Sequence, residues 1–230
     1  MPRARSKKQA DWQTAAPHEN GSGCLSLYSL SILAVMLITC LITALSLNTP
    51  IKISAASPSE QTDSTHISPI FTREVQHWDS DITRWANASA LDPNLVAVIL
   101  QIESCGNPFA LSSAGAMGLF QVMPFHFRFG ENPYNPETNA LRGLEYLARS
   151  LQAANGDAHL ALAGYNGGIG VISRNEWTWS AETKRYVYYG APIYEDARNG
   201  GTSSPMLDEW YRKYGVSLCR DASERLGLNN

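Results

Sequence analysis

Glu103 is the residue in this sequence whose type and neighbours best suit proton transfer. It follows Val96, Ile99 and Leu100 by seven, four and three residues, so all four side chains would share one face of a helix. An apolar face and the nearby carboxyl end of the helix dipole both favour a protonated carboxyl group. The pattern therefore predicts a raised pKa and a general acid; the alternative is a solvent-facing glutamate of the ordinary kind.

The helix that carries Glu103 has clear end signals. Asp92 can accept hydrogen bonds from free backbone N–H groups and Pro93 suits the first helical position, so we expect the helix to begin there. It should run to about Ser104, because Gly106 can adopt the left-handed conformation that ends a helix.

Apolar residues at three- and four-residue steps predict further helices around it. They lie at about 70–85, from Asn135-Pro136 to near Gly156, from His159 to about Asn166, and from Thr183 and Met206 onward. No convincing alternating pattern of a strand is visible, so the sequence predicts an all-α domain.

Several motifs in order resemble one known family. They are Glu-Ser-Cys-Gly-Asn-Pro-Phe-Ala-Leu-Ser (103–112), Gly-Ala-Met-Gly-Leu-Phe-Gln-Val-Met-Pro (115–124), Gly-Leu-Glu-Tyr-Leu (143–147), Ala-Leu-Ala-Gly-Tyr-Asn-Gly-Gly (161–168) and Glu-Thr-Lys-Arg-Tyr-Val (182–187). From Leu95 to about Val187 the chain resembles the catalytic domain of soluble lytic transglycosylases (SLT). The resemblance implies a lysozyme-like, mainly helical fold.

The same resemblance implies the site residues. Glu103 would serve as acid and then as base on a peptidoglycan glycan strand. The implied substrate-binding residues are Ser104, Gln121, Tyr165, Asn166 and Tyr186. Tyr165 and Tyr186 would also suit an ordinary role in the hydrophobic core.

One glutamate suffices if the substrate supplies the nucleophile. In a lytic transglycosylase, as the resemblance implies, the 6-hydroxyl of N-acetylmuramic acid (MurNAc) attacks its own anomeric carbon and leaves a 1,6-anhydro end. Most glycosidases use two carboxylates, and the sequence offers no second acid in an equally placed motif. No cofactor is needed, and the five histidines, at 18, 66, 77, 126 and 159, are too scattered to predict a metal site.

Two other functions stay open at this point. A hydrolytic muramidase of the same fold would use water and leave a reducing end. A noncatalytic peptidoglycan-binding wall protein would keep the groove without turnover. The net charge of −3 and the lack of a basic stripe argue against nucleic acid as a partner. The sequence indicates no protein partner.

Residues 24–47 form an uncharged apolar run long enough to cross a membrane as a helix. Basic residues are concentrated before it, which predicts a cytoplasmic tail at 1–23 and an exported, wall-side chain beyond. Residues 48–68 read as a flexible linker and 69–230 as the catalytic domain. The alternative is secretion after signal cleavage at the small residues Ser54, Ala55 and Ala56.

The cysteines suggest a disulfide on the exported side. Cys24 and Cys40 lie in or at the apolar run, which leaves Cys105 and Cys219 to pair in an oxidising compartment. The alternative is two buried free thiols.

Overall fold

The computed structural model describes residues 66–228. The predicted anchor, residues 24–47, lies outside the described residues, and within them no helix is both long and apolar enough to span a bilayer. Ile67 and Ser68 are already buried, so close packing begins just before the predicted domain start at Pro69.

Helices account for the regular structure of residues 66–228. In chain order they are α1 (Arg73–Gln76), α2 (Asp79–Ala88), α3 (Pro93–Ser104), α4 (Pro136–Ala153), α5 (Ala158–Gly167), α6 (Ala181–Arg198), α7 (Pro205–Trp210) and α8 (Val216–Leu226), with a π-helical turn at Tyr211–Gly215. Extended pairing in this part of the chain is limited to two isolated bridges, Leu111 with Met117 and Met117 with Val122. The predicted all-α domain is confirmed.

The first predicted helix is divided into α1 and α2. The break falls at Trp78, whose indole Nε1 donates a hydrogen bond to the Gly106 carbonyl at 2.9 Å. The apolar period continues across the break because Val75, Trp78 and Ile82 are all buried. Periodicity therefore found the buried face but did not show where the chain bends.

The helix α3 follows its sequence signals closely. The Asp92 carboxylate accepts a hydrogen bond from the Asn94 backbone N–H at 2.8 Å, and Pro93 is the first helical residue. At the other end Cys105 adopts the left-handed conformation with φ 50°, and Gly106 follows with φ 86°. Because α3 packs against α1, α2, α6 and α8, it is the central helix of this domain.

Candidate active site

Glu103 lies in the last turn of α3 and opens onto a cleft of about 190 Å³. The residue is partly exposed, whereas its neighbour Ser104 is fully buried. The cleft collects side chains from α3, α5, α6, α7 and the π-helical turn. Its lining residues are Ile102, Glu103, Asn166, Glu182, Arg185, Tyr186, Tyr189, Trp210 and Tyr214.

The surroundings of Glu103 favour its protonated form. Burial raises the pKa of the Glu103 carboxyl to about 8; the Tyr186 hydroxyl lowers it in part, and the charge of Glu182 raises it. A carboxyl group with such a pKa keeps its proton at neutral pH, as a general acid must. The geometry thus agrees with the raised pKa expected from the apolar helix face.

Tyr186 and Tyr165 both lie close to Glu103 but use their hydroxyls differently. The Tyr165 hydroxyl donates to the Phe120 carbonyl at 2.8 Å, so it is engaged with the backbone. The buried Tyr186 hydroxyl makes no well-formed hydrogen bond to any described residue, although it is close enough to influence Glu103. Burial, with a further contribution from the Glu103 charge, raises the pKa of both phenols, so both remain donors. Tyr186 is therefore the tyrosine with a hydroxyl to offer.

Asn166 lines the cleft at the end of α5. Its side-chain oxygen accepts a hydrogen bond from the Thr183 hydroxyl of α6 at 3.0 Å. This contact fixes the amide group, and it leaves the N–H donors for a ligand.

Ser104 and Gln121 hold the backbone around the site. The Ser104 hydroxyl donates to the Leu119 carbonyl at 2.7 Å and accepts from the Gly106 N–H at 3.1 Å. The Gln121 amide donates to the Gly118 carbonyl at 3.0 Å. Neither residue lines the cleft. Of the other predicted residues, Glu103, Asn166 and Tyr186 line it, and Tyr165 lies close to Glu103 without lining the cleft.

Glu182 is a second carboxylate in the same cleft, and it is not among the site residues that the sequence predicted. It lies in the first turn of α6, seventy-nine positions after Glu103 in the chain, and is exposed. The signal was available in the Glu-Thr-Lys-Arg-Tyr-Val run, where it comes four residues before Tyr186 on the same helix face.

Residues 205–226, called here the C-terminal segment, form the far wall of the cleft. They contribute Trp210, which is 3% exposed, and Tyr214, which is 47% exposed. A disulfide joins Cys219 of this segment to Cys105, with Cα atoms 5.0 Å apart. It attaches the segment two residues beyond Glu103.

A larger groove of about 960 Å³ lies elsewhere, and it holds none of the predicted site residues. Its lining is mainly apolar and includes Leu151, Val187 and Tyr188. Size alone therefore does not identify the site, and the cleft with the protonated carboxyl is the better candidate.

Residues 80–187 match the family model described as the transglycosylase SLT domain. The chain is 43% identical over 98 residues to a transglycosylase of Enterobacteria phage PRD1. The aligned part makes up 42% of this chain and 35% of that protein. The chain is 30% identical over 87 residues to membrane-bound lytic murein transglycosylase E of Buchnera aphidicola, covering 32% of this chain and 39% of that protein. The match thus spans little more than a third of the length of these relatives.

A solved structure of an inactive mutant of the lytic transglycosylase Slt from Pseudomonas aeruginosa is 26% identical, with a TM-score of 0.43, and covers 54% of this chain and 24% of that one. Residues 80–187 thus match the transglycosylase SLT domain, as the motifs in this part of the chain led us to expect.

Proposed function

We propose that this protein is a peptidoglycan lytic transglycosylase that cleaves the MurNAc-β-1,4-N-acetylglucosamine bond. The observation that carries the proposal is the position of the Glu103 carboxyl, whose pKa burial raises to about 8, at the wall of a cleft in a chain whose residues 80–187 match the SLT domain. A protonated carboxyl beside a bound sugar can deliver its proton to the bridging oxygen. That step breaks the glycosidic bond at the MurNAc anomeric carbon.

The second half of the reaction returns the proton to Glu103. As a carboxylate, it takes the proton from the MurNAc 6-hydroxyl while that oxygen bonds to the anomeric carbon. The product is a 1,6-anhydro-MurNAc end, and no cofactor or metal enters the balance. Because the nucleophile belongs to the substrate, the reaction gains from proximity and needs no activated water.

The other site residues bind and position. Tyr186 and Asn166 offer free donors to the carboxyl group or to the sugar. Tyr165 would set the wall through its bond to the Phe120 carbonyl, while Ser104 and Gln121 hold the backbone that supports Glu103. We propose this division of roles for the six residues.

A hydrolytic muramidase is the second candidate, and the position of Glu182 is the observation that favours it. A second carboxylate in the cleft could activate water, as in glycosidases that work with a pair of acids. The products then carry a reducing end in place of an anhydro end.

The deciding experiment is mass spectrometry of muropeptides released from purified sacculi by the full-length protein, run in water enriched in the heavy oxygen isotope. We expect anhydro-ended products without heavy oxygen. Reducing ends that contain heavy oxygen would identify a muramidase. Tight binding to sacculi without any release would identify a noncatalytic wall protein.

We further propose that residues 24–47 anchor the protein in the cytoplasmic membrane, with 1–23 inside and a linker at 48–68 leading to the domain at 69–230 on the wall side. The apolar run and the preceding basic residues support this arrangement, and one relative is named as membrane-bound. The full-length protein should then stay with membranes after an alkaline wash. A soluble mature form that starts near Ser57 would show cleavage instead.

A further inference from the structure

Arg185 lines the cleft but has no ionic partner. It lies on α6, is exposed, and is the positively charged residue among those that line the cleft. Within residues 66–228 none of the ion pairs includes it, even though Glu182 precedes it by one helical turn and lines the same cleft. Because the Arg185 guanidinium forms no ion pair with the nearby Glu182 carboxylate, it is available to bind a ligand.

The guanidinium of Arg185 is held over an aromatic ring. Its central carbon lies 5.4 Å from the centroid of the Tyr214 ring, within the range of a cation–π contact. Tyr214 in turn packs edge-on against Tyr189, with centroids 5.7 Å apart. Stacking restricts the guanidinium plane and leaves its N–H groups at the edge free to donate.

The C-terminal segment supplies this ring through an unusual local structure. Tyr214 belongs to the π-helical turn Tyr211–Gly215, which lies beyond the residues that match the family model. A Cβ atom at Gly215 would lie 2.7 Å from the Trp210 ring, so the turn needs glycine there. π-Helical turns are often found at functional sites.

The charge of the cleft suits an anionic group near Arg185. Glu103 is largely uncharged at neutral pH, so the charged lining groups are Arg185 and Glu182. Peptidoglycan carries carboxylates near the scissile bond, because the peptide stem, joined by an amide bond to the lactyl group of MurNAc, has free carboxyl groups of its own. A planar guanidinium binds a carboxylate through two parallel hydrogen bonds.

We propose that Arg185, supported by Tyr214, binds a carboxylate of the peptide stem on the MurNAc unit at the cleft, and so makes the enzyme prefer glycan strands that carry stems. This inference rests on the proposed function, because it assumes that a glycan strand occupies the cleft. It gives the C-terminal segment a direct part in substrate choice.

The test compares two substrates: strands with intact stems, and the same strands with the stem carboxylates converted to amides. In the full-length protein, Arg185→Gln should lower the ratio of kcat/KM for intact over amidated strands about tenfold, as expected for a lost charged hydrogen bond. Arg225→Gln, which removes the same charge from an exposed site on α8 outside the cleft, should leave the ratio unchanged.

Two further variants separate recognition from simple damage. Tyr214→Phe keeps the ring and should keep the ratio, whereas Tyr214→Leu removes it and should lower the ratio in the direction of Arg185→Gln. Equal losses on both substrates, or an unchanged ratio in Arg185→Gln, would overturn the proposal in favour of a general sugar contact.

A binding measurement keeps this test independent of turnover. In the Glu103→Gln background, the affinity for intact strands relative to amidated strands should fall about tenfold when Arg185→Gln is added. If the wild-type protein released nothing but this binding difference were present, the proposed activity would fail while the stem site stood. Without a difference in binding, the stem site fails whatever the activity.

Discussion

The two walls of the cleft come from parts of the chain that are held in different ways. Glu103, Asn166 and Tyr186 lie within the family-matched region on α3, α5 and α6, and α6 packs closely against both α3 and α5. The C-terminal segment lies outside that region; it adds Leu207, Trp210 and Ala222 to the hydrophobic core and is also attached by the disulfide and by polar contacts. The Ser223 hydroxyl donates to the Glu74 carboxylate and accepts from the Arg73 guanidinium at 3.1 Å.

This difference separates chemistry from attachment. A change in the family-matched wall should remove activity while the fold stays intact, because Glu103 faces the cleft and supports no packing. A change in the attachment of the C-terminal segment should lower the free energy of unfolding and weaken the substrate preference, with a smaller effect on proton transfer by Glu103. The predictions below test this division, from the largest expected effect to the smallest.

Glu103→Gln should reduce the rate of muropeptide release by about a thousandfold or more, because an amide keeps the volume but cannot deliver a proton. The variant should unfold at the same temperature as the wild type or slightly higher near pH 8, since it no longer holds a carboxyl group that resists ionisation. Release rates and thermal unfolding measured on the same preparations give both results. Glu224→Gln, an exposed glutamate on α8, is the matched control and should keep full activity.

If Glu103→Gln retained wild-type release, Glu103 would not be the acid and the family-matched wall would lose its assigned role. If instead the variant failed to fold, Glu103 would be a structural residue of α3.

The double substitution Cys105→Ala with Cys219→Ala should lower the free energy of unfolding by about 5 kcal/mol in the chain-entropy model, because the bond closes a loop with a sequence separation of 114. Denaturant unfolding with and without reductant measures it. Reductant should destabilise the wild type and leave the double variant unchanged.

Thiol titration of a protein that comprises residues 69–230, unfolded without reductant, checks the bond directly. Neither Cys105 nor Cys219 should react with the thiol reagent. Two reactive thiols would show that the C-terminal segment is attached by packing and polar contacts alone.

Local signals in the sequence predicted the parts of the site that depend on neighbours in the chain. The cap at Asp92, the end of α3 and the apolar face below Glu103 all follow from spacing over a few residues. The family motifs added Asn166 and Tyr186, because they preserve positions that only the folded chain brings together. The pairing of Cys105 with Cys219 was suggested by their compartment and not by any contact.

Other features depended on tertiary contacts that no local pattern encodes. The bend at Trp78 is set by its hydrogen bond to Gly106, a residue on the far side of α3 in sequence. Glu182 enters the cleft because α6 packs on α3 and α5, and Tyr214 enters through a π-helical turn that ordinary helical periodicity does not describe. Ser104 and Gln121 lie in the motifs that resemble the family, but their side chains donate hydrogen bonds to backbone carbonyls and do not line the cleft.

The smallest expected effect concerns the charge of Glu182 and the pH dependence of the reaction. The acid step needs protonated Glu103, so kcat/KM should fall as pH rises through about 8, the value to which burial raises the pKa of this group. The negative charge of Glu182 contributes to that raised pKa, and Glu182→Gln should therefore move the fall toward lower pH. The movement should be a fraction of a pH unit, because Glu182 is exposed and its charge is screened by water and salt. Rates of release measured across the pH range for wild type, Glu182→Gln and Glu224→Gln provide the comparison, with the last expected to follow the wild type. Well below pH 8, Glu182→Gln should lose no more than a few-fold in activity, since Glu103 performs both proton transfers.

A loss of activity of a hundredfold or more at every pH, with heavy oxygen in the wild-type products, would instead make Glu182 the base of a hydrolase. In that case the family-matched wall would supply both carboxylates of a muramidase, and the substrate would no longer provide the nucleophile.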